Sequence, residues 1–141
     1  MELCDRDGVE WLRDQPFSKR PAVFTSYVAS LIEDYEKSTS ILKKSLNANP
    51  DDPTLINNLA FALGSANRLD EAENALRQID IAEMKGLPAI TLAATAGLLL
   101  FRSGSPDRGR DLYNLAISRA SEQGGLRNVE RWPACTSPAR N

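Results

Sequence analysis

The sequence predicts an all-α protein, an α-solenoid in which antiparallel helix pairs stack one on another. Three observations predict it. Small residues recur in pairs at a near-constant period along the chain. Apolar residues around them fall three and four positions apart, the spacing of one helix face. Helix start and stop signals recur in step with both.

The pairing is plainest in the middle of the chain. One stretch reads Ile56-x-x-Leu59-Ala60-x-x-Leu63, then Ala72-x-x-x-Leu76-x-x-Ile79. The next reads Ala93-x-x-Ala96-Gly97-x-x-Leu100, then Gly109-x-x-x-Tyr113-x-x-Ala116. A weaker copy precedes them, Ala22-x-x-Thr25-Ser26-x-x-Ala29, then Ser38-x-x-x-Leu42-x-x-Ser45. In each, twelve positions separate the two small residues: Ser26 and Ser38, Ala60 and Ala72, Gly97 and Gly109. Ser38 to Ala72 is an offset of 34, and Ala72 to Gly109 an offset of 37. A small residue is needed where two helix backbones cross closely, so Ala60 is expected to face Ala72, and Gly97 to face Gly109. The extra three residues are placed around Met84 to Leu87, where a helix end or loop can absorb them.

Each element then follows in order. A short, acidic first helix spans about 7–14, and the next two about 20–33 and 35–48. Asp52 caps a helix over about 53–65 whose first residue is Pro53. Asp70 and Glu71 put negative charge in the first turn of a helix over about 69–84. Two more helices cover about 88–103 and 106–122, the last opened by Ser105-Pro106-Asp107. Asn67 and Gly104 mark the turns inside two pairs, because both tolerate positive φ. Glu33 stands where the first pair would have such a residue. Residues 123–141, with Gly124, Gly125, Pro133 and Pro138, read as a flexible tail.

This pattern resembles the tetratricopeptide repeat, whose period is 34 residues. The resemblance covers about residues 20–122, as repeats 20–50, 51–87 and 88–122, with 1–19 as an N-terminal segment that includes the short capping helix. An unrelated helical bundle is the competing fold. The resemblance implies a right-handed superhelix whose first helices line a concave surface, where a peptide or helix of a partner lies. At the equivalent places stand Tyr27, Phe61 and Leu98, with Asn57, Asn58, Thr95 and Arg102 along the same faces. The competing reading packs Tyr27, Phe61 and Leu98 between repeats. Some co-chaperone members of the family grip a terminal carboxylate with basic residues. Here Asn58 matches one such place, but Val23, Tyr27, Thr91 and Thr95 stand at others, so that clamp is missing and Arg102 alone is left to meet a carboxylate.

Composition narrows the function further. The 141 residues carry 17 basic and 19 acidic side chains, a formal charge of −2, which argues against a nucleic-acid footprint. There is no histidine, so the commonest general base and metal ligand is missing. Cys4 and Cys135, near opposite ends, are neither a disulfide framework nor a zinc site and suit a reducing, cytoplasmic setting. The apolar run Ile90 to Phe101 is too short for a membrane span. Acidic groups such as Glu33-Asp34-Glu36 sit at helix starts, and Arg102, Arg108 and Arg110 are diluted by Asp107 and Asp111. The expectation is a non-enzymatic scaffold or adaptor that binds another protein, with no cofactor and no metal. The alternatives are a structural element that forms a homodimer through its repeat ends, and a regulatory domain of a larger enzyme or transcription factor.

Overall fold

The computed structural model describes residues 2–123. Among them the chain forms seven helices and no strand: α1 (Glu2–Asp14), α2 (Lys19–Leu31), α3 (Tyr35–Ala48), α4 (Pro53–Ser65), α5 (Leu69–Leu76), α6 (Gly86–Arg102) and α7 (Pro106–Glu122). The expected flexible tail and Cys135 lie outside the described residues.

Local chemistry sets most of these ends. Asp52 accepts from the Thr54 and Leu55 N–H groups at 3.0 and 3.1 Å, ahead of Pro53 at the first helical position. Asp34 caps α3 through the Lys37 N–H. The turns inside the three pairs share one geometry. Glu33, Asn67 and Gly104 all have positive φ, at 61°, 61° and 81°. In each turn the following residue donates back five positions, Asp34 to Ala29, Arg68 to Leu63 and Ser105 to Leu100, at 2.8–2.9 Å. That closes the orphan carbonyls of the first helix. Glu33 thus takes the left-handed conformation without being Gly or Asn.

The helices pair α2 with α3, α4 with α5 and α6 with α7. Neighbouring first helices also touch, α2 with α4 and α4 with α6, which makes the stack a helical solenoid. Within pairs, the small residues lie where the backbones are close. Ser38 is buried and its Oγ donates to the Ser26 carbonyl at 3.0 Å. Ala60 and Ala72 are both fully buried in one core cluster. A Cβ placed on Gly97 would lie 3.0 Å from the Gly109 carbonyl oxygen, so this crossing admits no side chain. Leu42, Leu55, Ile56, Leu63, Leu92 and Leu99 fill the seams.

Three elements differ from the sequence expectation. Helix α1 starts at Glu2, not near residue 7, and docks on α2 where Gly8 leaves no room for a Cβ beside Thr25. Its Asp5 also pairs with Lys37 of α3 at 2.6 Å. Helix α5 ends at Leu76, not near residue 84. Turns follow, in which the Asp80 side chain accepts from the Ala82 N–H, while Ile79, Ile81 and Met84 still pack on the core. Finally, α6 starts 33 positions after α4, but its turn residue Gly104 lies 37 after Asn67. The crossing residues Ala60 and Gly97 each lie five positions before the end of their helix, at Ser65 and Arg102, so the extra residues form an additional first turn of α6, which begins at Gly86 within the stretch Met84 to Leu87. Helix α6 has 17 residues against 13 in α4.

Candidate functional site

The first helices α2, α4 and α6 present one face each to a shared concavity. On α2 the face carries Arg20, Val23, Phe24 and Tyr27, spaced as one helical stripe. Helix α4 brings Thr54, Asn57 and Asn58, and the start of α6 brings Leu87, Pro88 and Thr91. Trp11 of α1 closes one side, 6.3 Å from the Phe24 ring. The groove encloses about 1010 Å³ and its walls are mainly apolar. A smaller cleft of about 170 Å³ continues from it past Tyr27 and Asn58 to Phe61, Leu31 and Tyr35.

The lining repeats at the period of the sequence. Arg20, Thr54 and Pro88 are 34 apart, as are Val23, Asn57 and Thr91, and Tyr27 and Phe61.

Of the residues expected at the site, the structure brings Tyr27, Asn57, Asn58 and Phe61 together. Tyr27 is 49% exposed and Phe61 41%. Thr95, Leu98 and Arg102 line neither of these clefts. Thr95 is buried at the α4–α6 seam, where its Oγ1 donates to Asn57 Oδ1 at 2.8 Å. Leu98 is half-buried and lines neither cleft. Arg102 donates to the Gly64 carbonyl at 2.6 Å, satisfying the open end of α4, so it is engaged in holding two helices and not in meeting a carboxylate. Sequence reasoning missed Trp11, Phe24, Leu87 and Pro88 as lining residues. A strict step of 34 would have found Pro88, but nothing in the sequence places Trp11.

Thr95 also orients the amides. Asn57 accepts from Thr95 and donates to Asn58 Oδ1 at 3.3 Å. That leaves the Asn58 amide nitrogen as a donor facing the clefts. Near the groove mouth Lys19 pairs with Asp52 at 2.6 Å. Partial burial pushes the Asp52 pKa up, but the Lys19 ammonium and the Leu55 and Thr54 N–H groups outweigh it and hold the carboxyl below its usual value. Arg20, exposed on the same rim, carries the remaining basic charge.

A third cleft, about 430 Å³, lies between α5, α6 and the start of α7. It is as polar as apolar, with Glu73 and Arg77 paired across 3.7 Å. Among the described residues no group of His, Cys, Asp or Glu is arranged to hold a metal ion. Among the described residues, likewise, no helix is long and apolar enough to cross a membrane.

Residues 33–96, from the turn before α3 into α6, match the family model described as tetratricopeptide repeat. No curated protein and no solved structure matches the chain.

Proposed function

We infer that this chain, which belongs to the tetratricopeptide repeat family through residues 33–96, is a protein–protein interaction module that holds an apolar peptide or an amphipathic helix of its partner in the concave groove. Repeats of this family generally mediate protein–protein interaction and scaffolding. One observation carries the finer reading: Tyr27 and Phe61, two large rings one repeat apart, are both about half exposed on one concave face. A ring left half-solvated inside a concavity gains most when a partner excludes the remaining water. Asn58 supplies the polar handle, since its free amide donor can meet a backbone carbonyl of an extended ligand. Arg20 at the rim favours a partner with an acidic residue beside its apolar anchors.

The test is capture of partners from the source cell by wild type and by a Tyr27→Ala, Phe61→Ala variant. Both side chains are partly exposed, so circular dichroism is expected to show an unchanged helical fold. Each truncation is expected to weaken binding by about tenfold or more, on the order of 1.4 kcal/mol. Retention of the same partners by the folded variant rejects the groove as the binding surface.

A further inference from the structure

We propose that Thr95 is a positioning residue for the groove: it fixes the Asn58 amide with its nitrogen outward, so that the groove takes an apolar peptide bearing an oxygen acceptor at that place and rejects one bearing Lys or Arg there. The inference rests on the groove being a peptide-binding surface. Thr95 belongs to α6, is only 7% exposed and lines neither cleft. Its Oγ1 donates to Asn57 Oδ1 at 2.8 Å, and Asn57 Nδ2 donates to Asn58 Oδ1 at 3.3 Å. Both amide oxygens are thereby engaged, and Asn58 keeps its Nδ2 donors for whatever enters. Asn58, with Tyr27, lines both the large groove and the smaller cleft, so a ligand that runs from one to the other crosses this donor. The charged lining acts in the same sense. Lys19 and Arg20 stand on the groove, and among the described residues no Asp or Glu lines either cleft. A carbonyl or carboxylate oxygen is paired there, whereas an ammonium or guanidinium meets a donor and like charge.

The relay has a direction, and Thr95 sets it. A side-chain amide donates from its nitrogen and accepts at its oxygen. Turning Asn57 over would aim its nitrogen at Thr95 and its oxygen at Asn58. Asn58 would then turn over as well and face the groove with an acceptor. The Thr95 proton opposes this. Other hydroxyls of the last helix pair donate to carbonyls of their own helix: Thr91 to Leu87 and Pro88, Ser103 to Leu100, and Ser121 to Ile117. Among the described residues Thr95 makes no such bond, and its proton goes to Asn57 Oδ1. A buried donor left without an acceptor is costly, which holds both amides in this orientation. The third repeat thus sets the polarity of a site whose walls come mainly from the first two.

The experiment pans a phage-displayed library of random peptides on the full chain and keeps those whose binding is lost with Tyr27→Ala, Phe61→Ala. The kept peptides are expected to be poor in Lys and Arg. Thr95→Val preserves the shape and removes the hydroxyl, and titration calorimetry is expected to show these peptides weakened about tenfold. Thr95→Ser is expected to restore them, and in an Asn58→Ala background Thr95→Val is expected to cause no further loss. Equal loss in that background, or no rescue by Ser, is what a purely structural role of Thr95 produces, and either overturns the proposal. A second measurement needs no ligand. Nuclear Overhauser contacts from the Asn57 Nδ2 protons are expected to Asn58 and not to the Thr95 methyl; the reverse pattern overturns the relay. The failures of the two readings are distinct. Ring-dependent peptides that bind Thr95→Val as well as wild type reject only the part given to Thr95. A relay with the expected contacts, in a chain that selects no ring-dependent peptide, rejects the groove as a binding surface and the specificity with it.

Discussion

Gly97 and Gly104 lie in the same helix pair but are required for different reasons. Gly97 is a packing position: an added Cβ meets the Gly109 carbonyl oxygen at 3.0 Å and Tyr113 at 2.9 Å. Gly104 is a backbone position: an added Cβ meets nothing within 4 Å, but φ is 81°. Gly97→Ala is expected to cost about 1–3 kcal/mol by overpacking, and Gly104→Ala about 1–2 kcal/mol by strain alone. Asn tolerates the left-handed region, as Asn67 already does here. Urea midpoints should therefore show Gly104→Asn recovering most of the loss, and Gly97→Asn falling below Gly97→Ala. Asp52 contributes in a different way. Its pKa is lowered in the fold, so its stabilisation is present above the usual carboxylate range and is lost as pH falls through the lowered value. Asp52→Ala is expected to cost about 1 kcal/mol near neutral pH. That gap should shrink in urea titrations below about pH 4, near the ordinary carboxylate value. A gap that widens in acid is incompatible with this assignment.

At the scale of elements, the segment after α5 is the weakest joint. Helix α5 has only 8 residues, and the turns after it are held by Arg119 hydrogen bonds to the Ile81 and Ala82 carbonyls from α7. Charged hydrogen bonds of this kind contribute about 1.5–3 kcal/mol. Arg119→Met keeps the apolar stem and removes the donors. Amide exchange of residues 79–84 is expected to accelerate in that variant while α2 to α4 stay protected. Unchanged exchange there would show that Ile79, Ile81 and Met84 hold the joint by packing alone. Helix α6 shows how an insertion is tolerated in this fold. A single added turn at its start leaves the rest of the helix on nearly the same face, so Gly97 still meets Gly109.

At the scale of the molecule, α4 is the hub, touching α2, α3, α5 and α6. A stack of repeats is stable in proportion to its neighbour contacts, so the hub and the end should respond differently. Ile56, 1% exposed on α4, is expected to cost about 2–5 kcal/mol when cut to Ala. Ile117, 62% exposed on α7, is expected to change stability by no more than about 0.5 kcal/mol. Thermal unfolding of the two variants checks the contrast. Equal losses would mean that α7 is buried against something in solution.

The amino-acid sequence alone determined the helix pairs, their turns and their close crossings. Those features are local: Asp52 caps its own helix, Asn67 and Gly104 turn their own chain, and a small residue marks a crossing twelve positions from its mate. Part of the groove was legible for the same reason, since Tyr27 and Phe61 are 34 apart and Asn57 and Asn58 lie one turn before Phe61 on the same helix. Only the tertiary structure decided the rest. Whether Thr95 is open or buried depends on Asn57, 38 positions away, and Arg102 is engaged by Gly64 at the same separation. Trp11 joins the groove only because α1 docks on α2. Which face of a helix remains open to a partner is set by its rotation against neighbours distant in sequence, and no local spacing encodes that rotation.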